Sequence, residues 1–356
     1  MISYQHRNRR TVNLLKSIYS DHPEWTPCEV SLMPATWMKY RDELEELVLA
    51  HARIFPGYKR GSRDFDAIDN RMYELGRHTD CWGSVWENIE RGLTGIPVTH
   101  PLEDWSSFSA YVPPDPLKDD LFDPHDWDKV RWSLEDAKKR GDLAVGKPLP
   151  HGFMYMRLTS LRGFENSMID LAMDEPRLLD LIAVIEAYNN AVVQQYLQLG
   201  MEYPNFGEDL GMQSSLIMRP ATWRKYIKPA YARMFKPCLD AEIPIFFHSD
   251  GCILDIIPDL IEIGVKVLNP QFRANGLEGL KDAARGKVAL YLDLDRQLFP
   301  FASPAEIEDH IGEAYEALYL PEGGLMLYAE CEPDVPLETI EAICSALEKI
   351  CRLPEL

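Results

Sequence analysis

From about residue 150 the chain alternates short apolar runs with longer amphipathic stretches. The runs are Gly152 to Met156, Tyr203 to Glu208, Pro244 to His248, Val265 to Asn269, Val288 to Asp293 and Leu325 to Glu330. Each has the length of a strand, and strands alternating with helical segments are the mark of βα units. Between them, Glu175 to Leu199 predicts a helix stopped by Gly200. Ala221 to Leu239 predicts a helix that Pro229 kinks or divides, and Leu254 to Ile263 one stopped by Gly264. Ser303-Pro304-Ala305-Glu306 supplies an N-cap, a proline at the first helical position and a capping glutamate before His310 to Leu318. The last helix, Leu337 to Cys351, places Ile340, Ile343, Leu347 and Ile350 on one face. Nearer the start, the pattern predicts a helix around Arg10 to Ser20, a strand over Cys28 to Met33 and a helix over 35–55.

Polar residues cluster directly after successive strands: Glu208-Asp209, His248-Ser249-Asp250, Asn269, Asp293 and Asp295, and Glu330-Cys331-Glu332. An open doubly wound sheet would spread these along an edge, whereas a (β/α)8 TIM barrel gathers them at one mouth. No GxGxxG follows the early strands and no P-loop is present, which removes the simplest nucleotide readings. The expected architecture is one α/β barrel domain over 1–356. Residues 56–150, rich in Pro, Asp and Trp, form an insertion covering the mouth, as long structured loops commonly do.

Charge narrows the partners. The net charge of −20 gives a surface that repels phosphate backbones and anionic lipid, so neither nucleic acid nor membrane is expected. No apolar run reaches the ~20 residues a membrane helix needs. The N-terminal segment has no apolar signal-like stretch. The seven cysteines are odd in number, scattered and without a CxxC, which reads as reduced thiols in a cytoplasmic protein.

Five constellations can carry chemistry. In Phe246-Phe247-His248-Ser249-Asp250-Gly251 an apolar strand delivers His248, and strand period puts Asp250 on the same side. In Tyr328-Ala329-Glu330-Cys331-Glu332 a cysteine stands between carboxylates. Its thiolate would be a poor nucleophile there unless a metal held it. Imidazole, thiolate and carboxylate together can form a zinc site with an open position. Gly207-Glu208-Asp209-Leu210-Gly211 pairs two carboxylates suited to a metal or a proton transfer, and Asp293-Leu294-Asp295-Arg296 repeats the theme. In Asp80-Cys81-Trp82-Gly83-Ser84-Val85-Trp86, Trp82 and Trp86 can stack on a flat ligand or simply anchor the insertion.

At these residues the chain resembles the uroporphyrinogen decarboxylase superfamily. The resemblance runs through Gly207-Glu208-Asp209-Leu210-Gly211-Met212-Gln213, Ile227-Lys228-Pro229, Phe247-His248-Ser249-Asp250-Gly251, Ile257 to Val265, Leu268-Asn269-Pro270 and Pro333-Asp334-Val335-Pro336. It implies a (β/α)8 barrel with its site at the strand C-termini. The true decarboxylases carry an arginine-rich N-terminal loop, which Pro23 to Val30 does not reproduce. The resemblance therefore points to the corrinoid-dependent methyltransferase branch. In thiol-methylating members of that branch, a His-x-Cys pair and a later cysteine hold zinc. His248 and Cys331 match two of those positions, and Asp250 stands where the second would be cysteine.

The expected function is demethylation of a small methylated donor, such as a methoxylated aromatic, onto a separate corrinoid protein. In that reading His248, Asp209 and Glu208 are catalytic. Zn2+ is held by His248 and Cys331 with Asp250, Glu208 or Glu330. Trp82, Trp86, Asn269, Asp293 and Tyr328 contact the substrate. The alternatives are a cofactor-free decarboxylase or lyase using Asp209 or His248 as acid, and a barrel that binds a ligand without chemistry.

Overall fold

A computed structural model describes residues 3–68 and 70–355 of the chain. Among the described residues ten strands run in chain order: β1 Cys28–Leu32, β2 Gly76–Thr79, β3 Val85–Asn88, β4 Ile96–Thr99, β5 Val145–Gly146, β6 Tyr203–Asp209, β7 Ile245–Asp250, β8 Val265–Pro270, β9 Ala289–Asp293 and β10 Leu325–Cys331. The chain divides into two compact units. The first comprises Met1–Val12, Gly76–Glu87 and Ile96–Leu268; the second comprises Asn13–Leu75, Asn88–Gly95 and Asn269–Leu356. Residues 56–150 are thus shared between the units.

In the first unit the strand order is β8-β7-β6-β5. The pairs β5–β6 and β6–β7 are parallel, with Gly207 opposite His248, Glu208 opposite Ser249 and Asp209 opposite Asp250. Strand alternation sends Phe206 and Phe247 to one face, where they pack with Phe153, Tyr231 and Phe235 in a fully buried aromatic core. The helices Arg177–Gln198 and Lys228–Asp240 pack together in this unit. The short strands β2, β3 and β4 form a separate small sheet.

In the second unit the parallel order is β1-β10-β9. Its last two helices, Pro304–Leu318 and Leu337–Ile350, pack on each other. The capping box is present as expected: Ser303 Oγ accepts from the Glu306 N–H, and the Glu306 carboxylate accepts from the Ser303 N–H at 2.8 Å.

Two expectations change. The run Gly152 to Met156 is not a strand. It bends and enters the helix Tyr155–Arg162, because the N–H groups of Met154, Tyr155 and Met156 are taken by the Glu208 carboxylate and not by a neighbouring strand. The strand paired with β6 is instead the two-residue β5. The closed eight-stranded barrel is corrected accordingly. Among the described residues, β5 is an edge beside β6 in the first unit and β1 is an edge beside β10 in the second. The fold is α/β, with the TIM-like repetition of strands and helices. The predicted division at Pro229 is observed, as the helix Pro220–Tyr226 ends before Lys228–Asp240 begins. Among the described residues no helix is long and apolar enough to cross a membrane.

Candidate metal centre

The first unit brings His151, Asp209 and His248 together. One ligand atom from each lies within 4.8 Å of the others, and among the described residues this is the group that could hold a metal ion. His151 Nε2 lies 2.8 Å from Asp209 Oδ1, and His248 Nε2 lies 3.1 Å from Asp250 Oδ1. The two imidazole centroids are 5.6 Å apart. The His151 side chain is 41% exposed, Asp209 38% and His248 18%, so an ion or small ligand can reach all three.

Strand geometry explains who arrives. Gly207 and Asp209 share one face of β6, and His248 and Asp250 share the corresponding face of β7. Beyond the strand ends, Gly211 and Gly251 bring the two chains into close approach. A Cβ on Gly251 would lie 2.1 Å from the Gly211 carbonyl carbon, and the Gly211 N–H donates to Asp250 O at 3.1 Å. This contact fixes the loops immediately past Asp209 and Asp250. His151 comes from the bend before the helix Tyr155–Arg162 and lies against Gly207.

Glu208, next along β6, points to the opposite face. It is fully buried and accepts from the N–H groups of Met154, Tyr155 (3.0 Å) and Met156 (3.1 Å), the start of a helix. Burial pushes its carboxyl up to about 7, against the lowering pull of the Met156 and Met154 amides. Its place is therefore structural, away from the His151 group, because consecutive strand residues cannot share a face.

The same alternation splits β10. Tyr328 and Glu330 share one face, where the Tyr328 hydroxyl donates to Glu330 Oε2 at 2.9 Å. Cys331 takes the other face. Its thiol is completely buried, burial drives its pKa up, and it is not a member of the metal-capable group. On the Glu330 face of the second unit, Arg296 pairs with Glu330 at 2.6 Å and with Asp293 at 2.9 Å. Asn269 Nδ2 donates to the Tyr291 carbonyl, and the Tyr291 hydroxyl donates to Glu29 at 2.5 Å. Asp293, Glu330 and Tyr328 are thus joined through Arg296 and the Tyr328 hydroxyl, while Asn269 belongs to a second group with Tyr291 and Glu29, two residues the sequence reading did not single out.

The tryptophans belong to the framework of the first unit. Trp82 is buried, with Tyr188 edge-on at 4.8 Å and the Arg157 guanidinium over its ring at 5.4 Å. Trp86 is half-buried; its Nε1–H donates to Asp80 at 3.0 Å and its ring meets Phe122.

Against this geometry, the uroporphyrinogen decarboxylase (URO-D) family profile matches residues 150–350, more than half of the chain. The chain belongs to this family. Among solved structures, this URO-D family member is similar to a methyltransferase from Methanosarcina mazei. The two are 13% identical with a TM-score of 0.62, over 96% of this chain and 98% of that one. That likeness is one of fold. A putative vitamin-B12 independent methionine synthase from Listeria monocytogenes is 19% identical over 50% of this chain and 56% of its own, with a TM-score of 0.35. No curated protein matches. The URO-D match begins at residue 150 and so includes His151, which the sequence reading passed over. Its only local signal is the Pro150-His151-Gly152 bend ahead of an apolar run.

Proposed function

We propose that this URO-D family protein is a methyltransferase that binds one zinc ion through His151, Asp209 and His248 and removes a methyl group from a small methylated donor. The observation that carries the reading is the convergence of these three ligand atoms. Two imidazoles and a carboxylate are a legitimate catalytic zinc set, with a position left for substrate. When bound, zinc would supply a Lewis acid that makes the donor oxygen a better leaving group.

The residues do the rest. Asp250, 3.1 Å from His248 Nε2, orients that ring, in the manner of carboxylates behind metal-bound histidines. Asp209 Oδ1 lies 2.8 Å from His151 Nε2, so these two ligand atoms stand side by side on the face of β6 that carries Gly207. The methyl acceptor in this reading is a corrinoid carried by a separate protein, and a methoxylated aromatic is the donor class. The global fold shared with a methyltransferase supports the reading without assigning the substrate.

The 2.8 Å contact between His151 and Asp209 favours a second reading, metal-free proton transfer by a His–Asp pair in a decarboxylase or lyase. Metal analysis separates the two. The methyltransferase reading expects about one zinc per chain after mild purification. It also expects cob(I)alamin to be methylated by a methoxylated aromatic, and both properties to disappear in His151→Ala and His248→Ala. A protein that purifies without zinc, and keeps its activity after chelation, is the metal-free enzyme instead.

A further inference from the structure

We infer that Glu208 is a positioning residue for His151, and that the triplet Gly207-Glu208-Asp209 forms the cradle of that one imidazole. The inference rests on the reading of His151 as a metal ligand and adds what makes it one.

His151 lies in no helix or strand, so nothing in its own backbone fixes it. The segment that follows it is pinned from several sides. The Gly152 N–H donates to Gly207 O at 2.8 Å. The Phe153 carbonyl accepts from Asn189 Nδ2 at 2.9 Å. The next three N–H groups, Met154 to Met156, converge on the buried carboxylate of Glu208. A single buried side chain thus gathers three consecutive backbone donors.

The neighbours of Glu208 complete the arrangement. A Cβ on Gly207 would lie 2.6 Å from His151 Nδ1, so only glycine lets the ring lie against β6. Asp209 meets the other ring nitrogen at 2.8 Å. Strand alternation assigns the three tasks: Gly207 and Asp209 face the ring, and Glu208 on the reverse face holds the backbone from which the ring extends. Glu208 acts through His151 and touches neither ion nor substrate.

The test uses the metal-free full chain, titrated with zinc and with cobalt(II), whose visible spectrum reports its ligand set. The variants are Glu208→Gln, whose amide would face three N–H donors, Gly207→Ala and His151→Ala, singly and combined. Far-UV circular dichroism confirms that each is folded. Glu208→Gln and Gly207→Ala should each weaken zinc binding by about 10–100-fold, as losses of supporting partners do, and alter the cobalt spectrum. In the His151→Ala background neither should weaken binding further. If Glu208→Gln does not fold, Glu208→Asp, which withdraws the carboxyl from the three N–H groups by one methylene, replaces it with the same expected and overturning results. Folded variants with unchanged zinc affinity, or with the same loss in the His151→Ala background, overturn the positioning role while the metal site stands. If His151→Ala itself leaves affinity and spectrum unchanged, the ligand reading fails, and this inference fails with it.

Discussion

The Asp80 carboxylate accepts a 2.6 Å bond from Arg157, and both side chains are almost fully buried. Asp80 also accepts from the N–H groups of Trp82 (3.0 Å) and Ser84 (2.8 Å) and from Trp86 Nε1 (3.0 Å). One carboxylate therefore closes the Asp80 to Trp86 turn and ties it to the helix whose N-terminus Glu208 holds. Removing one member of a buried pair leaves the other charged and desolvated. Asp80→Ala should cost about 3–5 kcal/mol in urea unfolding. A loss below about 1 kcal/mol, the range of exposed pairs, would show that water reaches the site.

Trp82 and Trp86 should separate in their effects. Trp82 is enclosed by Tyr188 and Arg157, so Trp82→Ala opens a cavity and should cost about 3–5 kcal/mol. Trp86 is half-buried, and Trp86→Phe, which chiefly removes the bond to Asp80, should cost about 1 kcal/mol. Thermal and urea unfolding check the order. Equal, small losses would return both rings to consideration as ligand platforms.

Asp250 should support the metal and not hold it. Asp250→Ala should lower zinc affinity by about 10–100-fold and leave the cobalt spectrum close to that of the parent. Cys331→Ser should change neither, because the thiol is buried on the face of β10 opposite Glu330. A sulfur-to-cobalt charge-transfer band lost in Cys331→Ser would place the thiol in the ligand set after all.

His310 gives the second unit a dependence on pH. Its Nε2 accepts the Asp295 N–H at 3.1 Å, so the native ring is neutral at that nitrogen. Burial holds its pKa below the ordinary value of 6.5; the Asp295 carboxylate opposes this and Arg273 reinforces it. Phe272 and Phe299 pack on the ring. The unfolded chain therefore binds a proton that the native one refuses. The sign follows: stability rises with pH through the window from the lowered value up to 6.5, and falls as pH drops through it. Urea midpoints measured at pH 7.5 and 5.5 should fall more in the parent than in His310→Gln, whose amide oxygen can still accept the Asp295 N–H. Equal falls would assign the dependence to other groups.

The capping box is a local feature with a local test. Ser303→Ala should cost about 1 kcal/mol, and Glu306→Ala a similar or smaller amount, by thermal unfolding. Neither should affect zinc binding.

Much of this was legible in the residue order. Apolar periodicity located β6 to β10, Pro229 divided a helix, and Ser303 and Glu306 capped one, because these depend on residues within a few positions of each other. Period two put His248 and Asp250 on one side. Applied as strictly to Glu208 and Asp209, or to Glu330 and Cys331, it separates each pair, so those assignments were also within reach of the sequence. The tertiary structure alone decided that Gly152 to Met156 bends into a helix, since its amides turn to a carboxylate more than fifty positions away. It alone decided that His151 meets Asp209 and His248. A Pro-His-Gly bend has no period to extrapolate. The position of its ring is set by the space left above Gly207 and by hydrogen bonds to β6, contacts that exist only once distant segments have packed.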